Sequence, residues 1–262
     1  MTDADQLLRD GDLDGARSAL VETVRSNPAD ARARMFLFQL LAVAGEWDKA
    51  GTHLEALAQI SPEARMLATV YSMAMKAEQE RAAIWAGRER MPIIRGPWAD
   101  GLAQAIMDYA NGRIAEGDAA RDSALDQAPD TPGELDGTRF EWLTDADARF
   151  GPTFEVIIQG RYGLVAFSEV TKVHSDGPRD LRDTVWYPVQ IEFREGQSVA
   201  ALLPTRYPGS EHSTDLAMRM GRSTGWTQGP SGETGSGQHL LAMSGGEETG
   251  LLALRSLVFD PA

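Results

Sequence analysis

A recurrence every 34 residues in the N-terminal half constrains the fold of this 262-residue chain more than any other feature. Glycine, aspartate, alanine, leucine and proline return in the same order, as the pairs Gly11 and Gly45, Asp14 and Asp48, Ala16 and Ala50, Leu20 and Leu54, Pro28 and Pro62. A unit repeated in this way buries its apolar face only against its neighbours. The recurrence therefore predicts a stack of similar units.

The residue types of the repeat indicate pairs of helices. Each glycine suits a turn between two helices, each alanine permits close helix packing, and each proline ends the second helix. The period is that of the tetratricopeptide repeat, a helix–turn–helix unit. A weaker copy ends at Pro129, with Gly112 in the turn position. We expect about six or seven helices over roughly residues 4–127, in a tetratricopeptide-like domain spanning 1–130.

Two places rich in proline and glycine interrupt the helical pattern. The segment 91–97 marks a boundary inside the helical domain, and the cluster 129–133 precedes a change in composition. We expect a linker at 131–136 and a mainly β domain over 137–262, because β-branched and aromatic stretches replace the helical period there. These stretches are 154–158, 163–167, 185–193, 199–203 and 252–259. The predicted class is α+β with two domains.

The charge balance argues against nucleic acid as a partner. The chain has 25 Lys and Arg against 39 Asp and Glu, a formal charge of −14. Nucleic-acid affinity depends on cationic side chains that displace counterions from phosphates, and this chain has the opposite excess. The lack of cysteine excludes disulfides and thiolate metal sites. With no signal-like start and no apolar run of about 20 residues, we expect a cytoplasmic protein without a membrane segment.

Few polar residues suggest catalysis or metal binding. The four histidines are scattered, and none has the spacing of a metal-ligand set. Asp145 and Asp147 could hold a divalent cation, or could cap a helix and pair with Arg149. An enzyme would need a polar cleft with perturbed carboxylates such as Asp145, Asp147 or Glu155. No nucleophile, base and oxyanion set can be assembled, so we expect no catalytic residue, metal or cofactor.

Aromatic and cationic side chains beside predicted turns are the candidates for partner binding. Arg206 and Tyr207 follow a predicted apolar strand and precede a turn, where we expect them to reach solvent. Arg222, Trp226 and Trp142 also lie next to predicted turns. Such side chains supply much of the binding energy at protein interfaces. The alternative is that they brace the loops of the β domain.

Several strings in the second half resemble one protein family. They are 136–152 (DGTRFEWLTDADARFGP), 160–162 (GRY), 180–188 (DLRDTVWYP) and 203–211 (LPTRYPGSE), followed by 221–224, Trp226, 237–238 and 254–260. In this order and spacing they are similar to the ImpE/TagJ family of bacterial type VI secretion accessory proteins. The chain departs from the family at His239, where members usually have arginine in the string Gly-Leu-Gly-Gln-Arg.

The resemblance implies a non-enzymatic cytoplasmic component of a contractile injection apparatus. Members bind the small sheath subunit through the N-terminal helix of that subunit, and they influence recycling of contracted sheath by its unfoldase. A scaffold that contacts the unfoldase or the baseplate is the alternative, and a hydrolase of the C-terminal domain is a further one.

The helical half offers a physical means of binding such a partner. Stacked helix pairs form a concave groove that accepts an amphipathic helix through apolar anchors at helical spacing. An acidic groove would favour a basic helix. Phe36, Phe38 and Tyr71 are the aromatic candidates for contacts within this half.

Overall fold

The computed structural model describes residues 3–261 and combines a helical first part with a mainly β second part. The helices of the first part are α1 (Asp3–Arg9), α2 (Leu13–Ser26), α3 (Ala31–Val43), α4 (Trp47–Ile60), α5 (Pro62–Trp85), α6 (Asp100–Ala110) and α7 (Ile114–Leu125). The predicted α+β class is confirmed. In the described part of the chain, no helix is both long enough and apolar enough to cross a membrane.

The repeated residues occupy the turns and helix crossings that the period predicts. Gly11 and Gly45 have φ angles of +86° and +72° between consecutive helices, a conformation that glycine adopts without strain. Ala16 and Ala50 are fully buried. Pro62 is the first residue of α5, and Ser61 alone separates it from the end of α4 at Ile60, so the proline both stops one helix and starts the next.

Fourteen strands lie within residues 3–261. They are β1 (Ile93–Arg95), β2 (Gly133–Leu135), β3 (Thr138–Phe140), β4 (Leu143–Asp145), β5 (Thr153–Ile158), β6 (Arg161–Ala166), β7 (Val170–His174), β8 (Trp186–Phe193), β9 (Ser198–Pro204), β10 (Thr224–Gly229), β11 (Gly232–Gly237), β12 (Leu240–Met243), β13 (Glu248–Gly250) and β14 (Ser256–Phe259). Nine of them form a sheet in the order β1-β6-β5-β9-β8-β7-β14-β2-β3. A three-stranded sheet β13-β12-β4, a hairpin β10-β11 and a short helix α8 (Leu216–Arg219) complete the second part.

Two segments fold differently from the prediction. Strand β1 lies inside the predicted helical domain, yet Ile93 pairs in parallel register with Leu164 of β6 at the edge of the large sheet. The predicted linker 131–136 contains β2, which is hydrogen-bonded between β14 and β3. The helical half and the predicted linker therefore both contribute strands to the large sheet.

Gly133 explains why the linker prediction was wrong. A Cβ atom at this position would lie 2.3 Å from the carbonyl oxygen of Val258 and 2.8 Å from the ring of Phe140. Glycine is required here because neighbouring strands approach closely, although in sequence it looks like a breaker. Asp136 and Gly137 then turn the chain into β3 with φ angles of 49° and 90°.

Trp186, the first residue of β8, joins the two parts of the molecule. Its ring is fully buried, with centroids 5.6 Å from Trp47 of α4 and 5.5 Å from Tyr71 of α5. Its indole N–H donates to the carboxylate of Glu78 at 2.9 Å. One apolar cluster runs from the helices to Trp186, and a second fills the β part. The helices and the sheet therefore share a core.

Candidate partner-binding groove

A groove of about 910 Å³ opens between α1, α2 and α3. Small and aliphatic side chains form much of its lining, namely Ala4, Ala19, Leu20 and Ala33. These alanines leave space between the helices because their side chains are short. Asp12 and Asp30 accept hydrogen bonds from the first turns of α2 and α3 and so define where these helices begin.

Met35 and Phe36 give the groove its larger apolar side chains. Both lie on α3, both line the groove, and both are only partly buried against the core. The Sδ atom of Met35 accepts a hydrogen bond from Arg182 of the β part at 3.6 Å, which orients that side chain. A half-exposed thioether and an aromatic ring offer adaptable anchoring surface to the apolar face of a helix.

The rim of the groove is acidic. Among the described residues that line it, the charged ones are Asp3, Asp5, Glu22, Asp30, Asp180 and Arg32. Asp180 is paired with Arg182. Glu22 is paired with Arg25 outside the groove at 2.7 Å, and both side chains are exposed. An excess of carboxylates around an apolar floor favours a cationic amphipathic segment and speeds its encounter.

Arg206 is buried, contrary to the prediction that it reaches solvent. It is 4% exposed, and its Nη1 donates to the carbonyl oxygen of Val43, the last residue of α3, at 2.8 Å. The same nitrogen donates to the carbonyl of Arg219. Burial lowers the pKa of Arg206 to about 10. This side chain caps a helix end across the junction of the two parts.

Tyr207 is also buried, and the prediction of an exposed position is wrong for it as well. Its hydroxyl donates to Asp145 at 2.7 Å and accepts from the backbone N–H of Leu240 at 3.3 Å. Its ring lies 4.0 Å from the ring of His239. Burial, together with the charge of Asp145, raises the pKa of Tyr207. The turn after Tyr207 packs inward because the Tyr207 side chain contacts Asp145, Leu240 and His239 in the interior.

The remaining predicted contact residues are exposed on the β part. Trp142, between β3 and β4, is 45% exposed, and Trp226, on β10, is 38% exposed. Trp226 packs one side against Tyr207 at 5.8 Å between ring centroids. Arg222 is exposed just before β10. These three side chains can reach a partner, but they lie outside the groove.

Of the aromatic residues proposed for the helical half, Phe36 alone lines the groove. Phe38 is fully buried and Tyr71 is 6% exposed. Their rings pack against each other at 5.8 Å in the core behind the groove. On α3, Phe36 therefore lies in the groove and Phe38 lies in the core.

An ion-pair network between α5 and the β part was not foreseen from the sequence. Arg81 donates to both oxygens of Glu155, from Nε at 2.9 Å and Nη2 at 2.7 Å. Tyr162 donates to the same carboxylate. Burial alone would raise the pKa of Glu155, but the charge and hydrogen bonds of Arg81 hold it well below its ordinary value. The network fastens α5 to β5 and β6.

His239 extends this network. Its Nδ1 lies 2.6 Å from an Asp145 oxygen and its Nε2 lies 3.3 Å from a Glu155 oxygen. Burial opposes protonation, but the two carboxylates raise the pKa of His239 to about 9. The two carboxylates therefore favour the protonated form of the ring, at the position where the family usually has arginine. The departure from the family pattern at His239 and the candidate carboxylates Asp145 and Glu155 were the sequence signals that pointed to members of the network.

The candidate carboxylates for metal binding or catalysis have internal partners. Asp145 is engaged by His239 and Tyr207. Asp147 binds Arg149 at 2.6 Å and accepts the backbone N–H of Gly235 at 2.9 Å. Across residues 3–261, no group of three or more His, Asp or Glu side chains is arranged to hold a metal ion.

Comparison with known families matches both parts of the chain. The tetratricopeptide repeat family matches residues 7–72, which include α2, α3 and α4. The ImpE protein family matches residues 137–258, which cover most of the β part. The first match supports the prediction from the 34-residue period.

Whole-chain comparisons agree with these matches. The type VI secretion system accessory component TagJ of Pseudomonas aeruginosa is 41% identical over 262 residues, covering 98% of this chain and 91% of that protein. An X-ray crystal structure of a Vibrio parahaemolyticus protein has the same fold, with a TM-score of 0.88 at 20% identity over 100% of this chain and 98% of the other. The resemblance stated from the sequence strings is confirmed, and the chain belongs to the ImpE/TagJ family of type VI secretion accessory proteins.

Proposed function

We propose that this protein is a non-enzymatic cytoplasmic adaptor that binds the N-terminal helix of the small type VI sheath subunit and influences sheath assembly or recycling. The groove between α1, α2 and α3 carries the proposal, because it combines the half-exposed Met35 and Phe36 with an acidic rim. Membership of a family of type VI secretion accessory proteins supplies the setting.

The groove suits a helix with one apolar and one basic face. Apolar residues at i, i+3, i+4 and i+7 would lie on Met35 and Phe36, while Lys or Arg side chains would face the rim carboxylates. Exposed charge pairs are screened by salt, so they govern the rate and selectivity of binding more than its strength. The apolar anchors then supply most of the affinity.

A non-catalytic role is supported by the ion pairs that the buried carboxylates form. Asp145, Asp147 and Glu155 are the acids that a hydrolase of the β part would need. Each is buried and forms an ion pair with Arg81, Arg149 or His239. The Arg81 pair joins α5 to the β part, and the other two pairs lie within the β part.

A second contact surface is favoured by the exposure of Trp142, Arg222 and Trp226 on the β part. Exposed tryptophan and arginine are typical anchors of protein interfaces. The unfoldase of the sheath or the baseplate is the partner that we propose for this surface, in addition to the sheath helix.

Co-purification with the small sheath subunit tests the proposal. The full-length subunit should be retained by this protein, and the same subunit lacking its first helix should be lost. The helix alone, fused to an unrelated soluble protein, should restore retention. Equal retention of the subunit with and without its first helix would contradict the proposal.

A further inference from the structure

The N-terminal half of α5 exposes a row of apolar side chains. Met66, Val70 and Met73 are 76%, 38% and 38% exposed. Their spacing of four and three residues places them on one side of the helix, over about 10 Å along its axis. Exposed apolar residues that stand alone are ordinary on a protein surface, whereas a contiguous row is typical of an interaction site. We call these three residues the α5 stripe.

The α5 stripe repeats positions that line the groove between α1, α2 and α3. Each of its residues follows a groove-lining residue of α3, at position 32, 36 or 39, by one period of 34 residues. Stacked repeats present equivalent positions side by side and form extended binding surfaces from them. The stripe therefore occupies, in the next repeat, positions that form a binding surface in such stacks, and it shares no lining residue with the groove.

The turn between β5 and β6 borders the C-terminal end of the stripe. A Cβ atom at Gly160 would lie 3.0 Å from the Sδ atom of Met73, so the backbone of this turn packs directly against the methionine side chain. The helix then continues into the junction with the β part, where Ala77 and Arg81 are buried. The stripe is therefore a short open surface that ends at the turn, and a second helix can lie along it over about two turns of α5.

Cations without acid partners flank the stripe. Arg65 precedes its first residue, Lys76 lies one turn after its last residue, and both are exposed. Arg161, the first residue of β6 in the bordering turn, is exposed as well. Within residues 3–261, none of these three cations forms an ion pair with a carboxylate, and the Nε of Arg65 donates to the carbonyl oxygen of Ala58 at 3.3 Å. Their charges are thus open to a partner.

The charge beside the stripe contrasts with that of the whole chain, which is −14. Of the described carboxylates on α5, Glu78 is buried, and Glu80 lies seven residues, about 10 Å, beyond Met73. An extended anionic surface, such as a membrane or a nucleic acid, would be repelled by the net charge of the chain. A short acidic segment meets mainly the nearby cations, because charge effects are screened beyond about 8–10 Å.

We propose that the α5 stripe binds an amphipathic helix of a partner protein that carries Asp and Glu beside its apolar face. Apolar side chains of that helix pack on Met66, Val70 and Met73, and the flexible methionines adapt to their shape. Its carboxylates pair with the flanking cations. The groove between α1, α2 and α3 has an acidic rim and suits a helix of the opposite charge, so this proposal does not rest on the sheath-helix groove.

Two designed peptides test this proposal on the full-length protein. Both are helices of about 14 residues with the same leucine face, and the polar face carries glutamate in one and lysine in the other. The readout is the methyl resonances of Met66 and Met73 in protein labelled with ¹³C at the methionine methyl groups, and the resonance of Met35 reports on the groove. The glutamate peptide should shift Met66 and Met73 saturably and leave Met35 unchanged. The lysine peptide should bind at the stripe about fivefold more weakly, or weaker still.

Surface variants assign the site. Arg65→Glu combined with Lys76→Glu reverses two charges and should weaken binding of the glutamate peptide about tenfold or more. Arg88→Glu reverses an exposed arginine beyond the end of α5 and should bind like the native protein. Val70→Ser should weaken binding about fivefold or more, whereas Val21→Ser, at a 37% exposed valine of α2 outside the groove lining, should not.

Three results with the peptides would overturn the proposal: equal binding of both peptides at the stripe, no shift of Met66 and Met73 with the glutamate peptide, or native affinity in both the charge-reversed protein and Val70→Ser. Shifts of these resonances on concentrating the protein alone would assign the stripe to a second copy of the chain. Shifts with phosphatidylglycerol vesicles in place of the peptide would assign it to a lipid surface, and either result would also contradict the proposal. Because Met35 and Met66 report on different surfaces, this proposal and the groove proposal can fail separately.

Discussion

Replacing Arg81 with methionine tests whether buried ion pairs hold α5 against the sheet. Arg81 donates to both oxygens of Glu155, and also to the carbonyl oxygen of Arg206 at 2.6 Å. The two side chains of the ion pair are 7% and 1% exposed, so water cannot take the place of the guanidinium. Removing one partner of a buried pair costs about 3–5 kcal/mol. In Arg81→Met, Glu155 keeps its contact with His239 at 3.3 Å but loses both hydrogen bonds from the guanidinium.

The cost should be visible in thermal unfolding. For a chain of this length, 1 kcal/mol shifts Tm by about 2–4 °C. Arg81→Met should therefore lower Tm by roughly 6–20 °C, measured by scanning calorimetry at pH 7. Arg81→Met combined with Glu155→Leu should recover part of this loss, because the stranded carboxylate is then removed as well.

Arg90→Met is the matched control. Arg90 pairs with Asp100 at 2.7 Å, but the side chains are 46% and 61% exposed. An exposed pair contributes at most about 1 kcal/mol, so Tm should change by no more than about 4 °C. Equal losses in Arg81→Met and Arg90→Met would refute the view that the buried network fastens the helices to the sheet.

Three further predictions follow from the packing and the charges. Ala50→Leu overpacks a fully buried helix crossing and should lower the free energy of unfolding by about 1–3 kcal/mol, whereas the exposed Ala119→Leu on α7 should not; equal stability of the two variants would contradict the register of the repeat. The raised pKa of His239, about 9, predicts that its contribution to stability is complete below its unfolded pKa of about 6.5 and is lost as the pH rises through 9. Denaturant titrations between pH 6 and 10 should show this decline, and His239→Gln should flatten it; an unchanged slope would show that another group is responsible. Elemental analysis of the purified protein should find no stoichiometric divalent metal, and a bound ion that disappears in Asp145→Asn with Asp147→Asn would overturn this.

The helical half was predictable because the residues that specify its helices and turns lie close together in sequence. The glycines and alanines of the repeat specify turns and crossings within one 34-residue period, and α2 to α5 follow from them. Strand β1 was not predictable in the same way, since Ile93 pairs with Leu164 in the second part of the chain. No residue near Ile93 in the sequence indicates that Leu164 is its pairing partner.

The predicted partner-binding residues show the same limit of local sequence patterns. Arg206 and Tyr207 are polar residues beside a turn, a pattern typical of exposed positions, yet their partners lie far away in sequence. Val43 is 163 residues from Arg206, and Asp145 is 62 residues from Tyr207. Burial of a polar side chain depends on such distant partners. Local sequence patterns therefore selected residue types that are common at interfaces, but two of the selected residues, Arg206 and Tyr207, are buried.

Binding of the small sheath subunit's N-terminal helix, as a synthetic peptide, to Phe36→Ala and Trp226→Ala tests the central claim most directly. Phe36 lines the acidic groove, whereas Trp226 is exposed on the β part and serves as the matched aromatic control. With both variants shown to be folded by thermal melting, Phe36→Ala should lose about 2 kcal/mol or more, roughly thirtyfold in Kd, and Trp226→Ala should bind like the native protein. Native affinity in Phe36→Ala, with the loss in Trp226→Ala instead, would contradict the groove and move the sheath helix to the β surface.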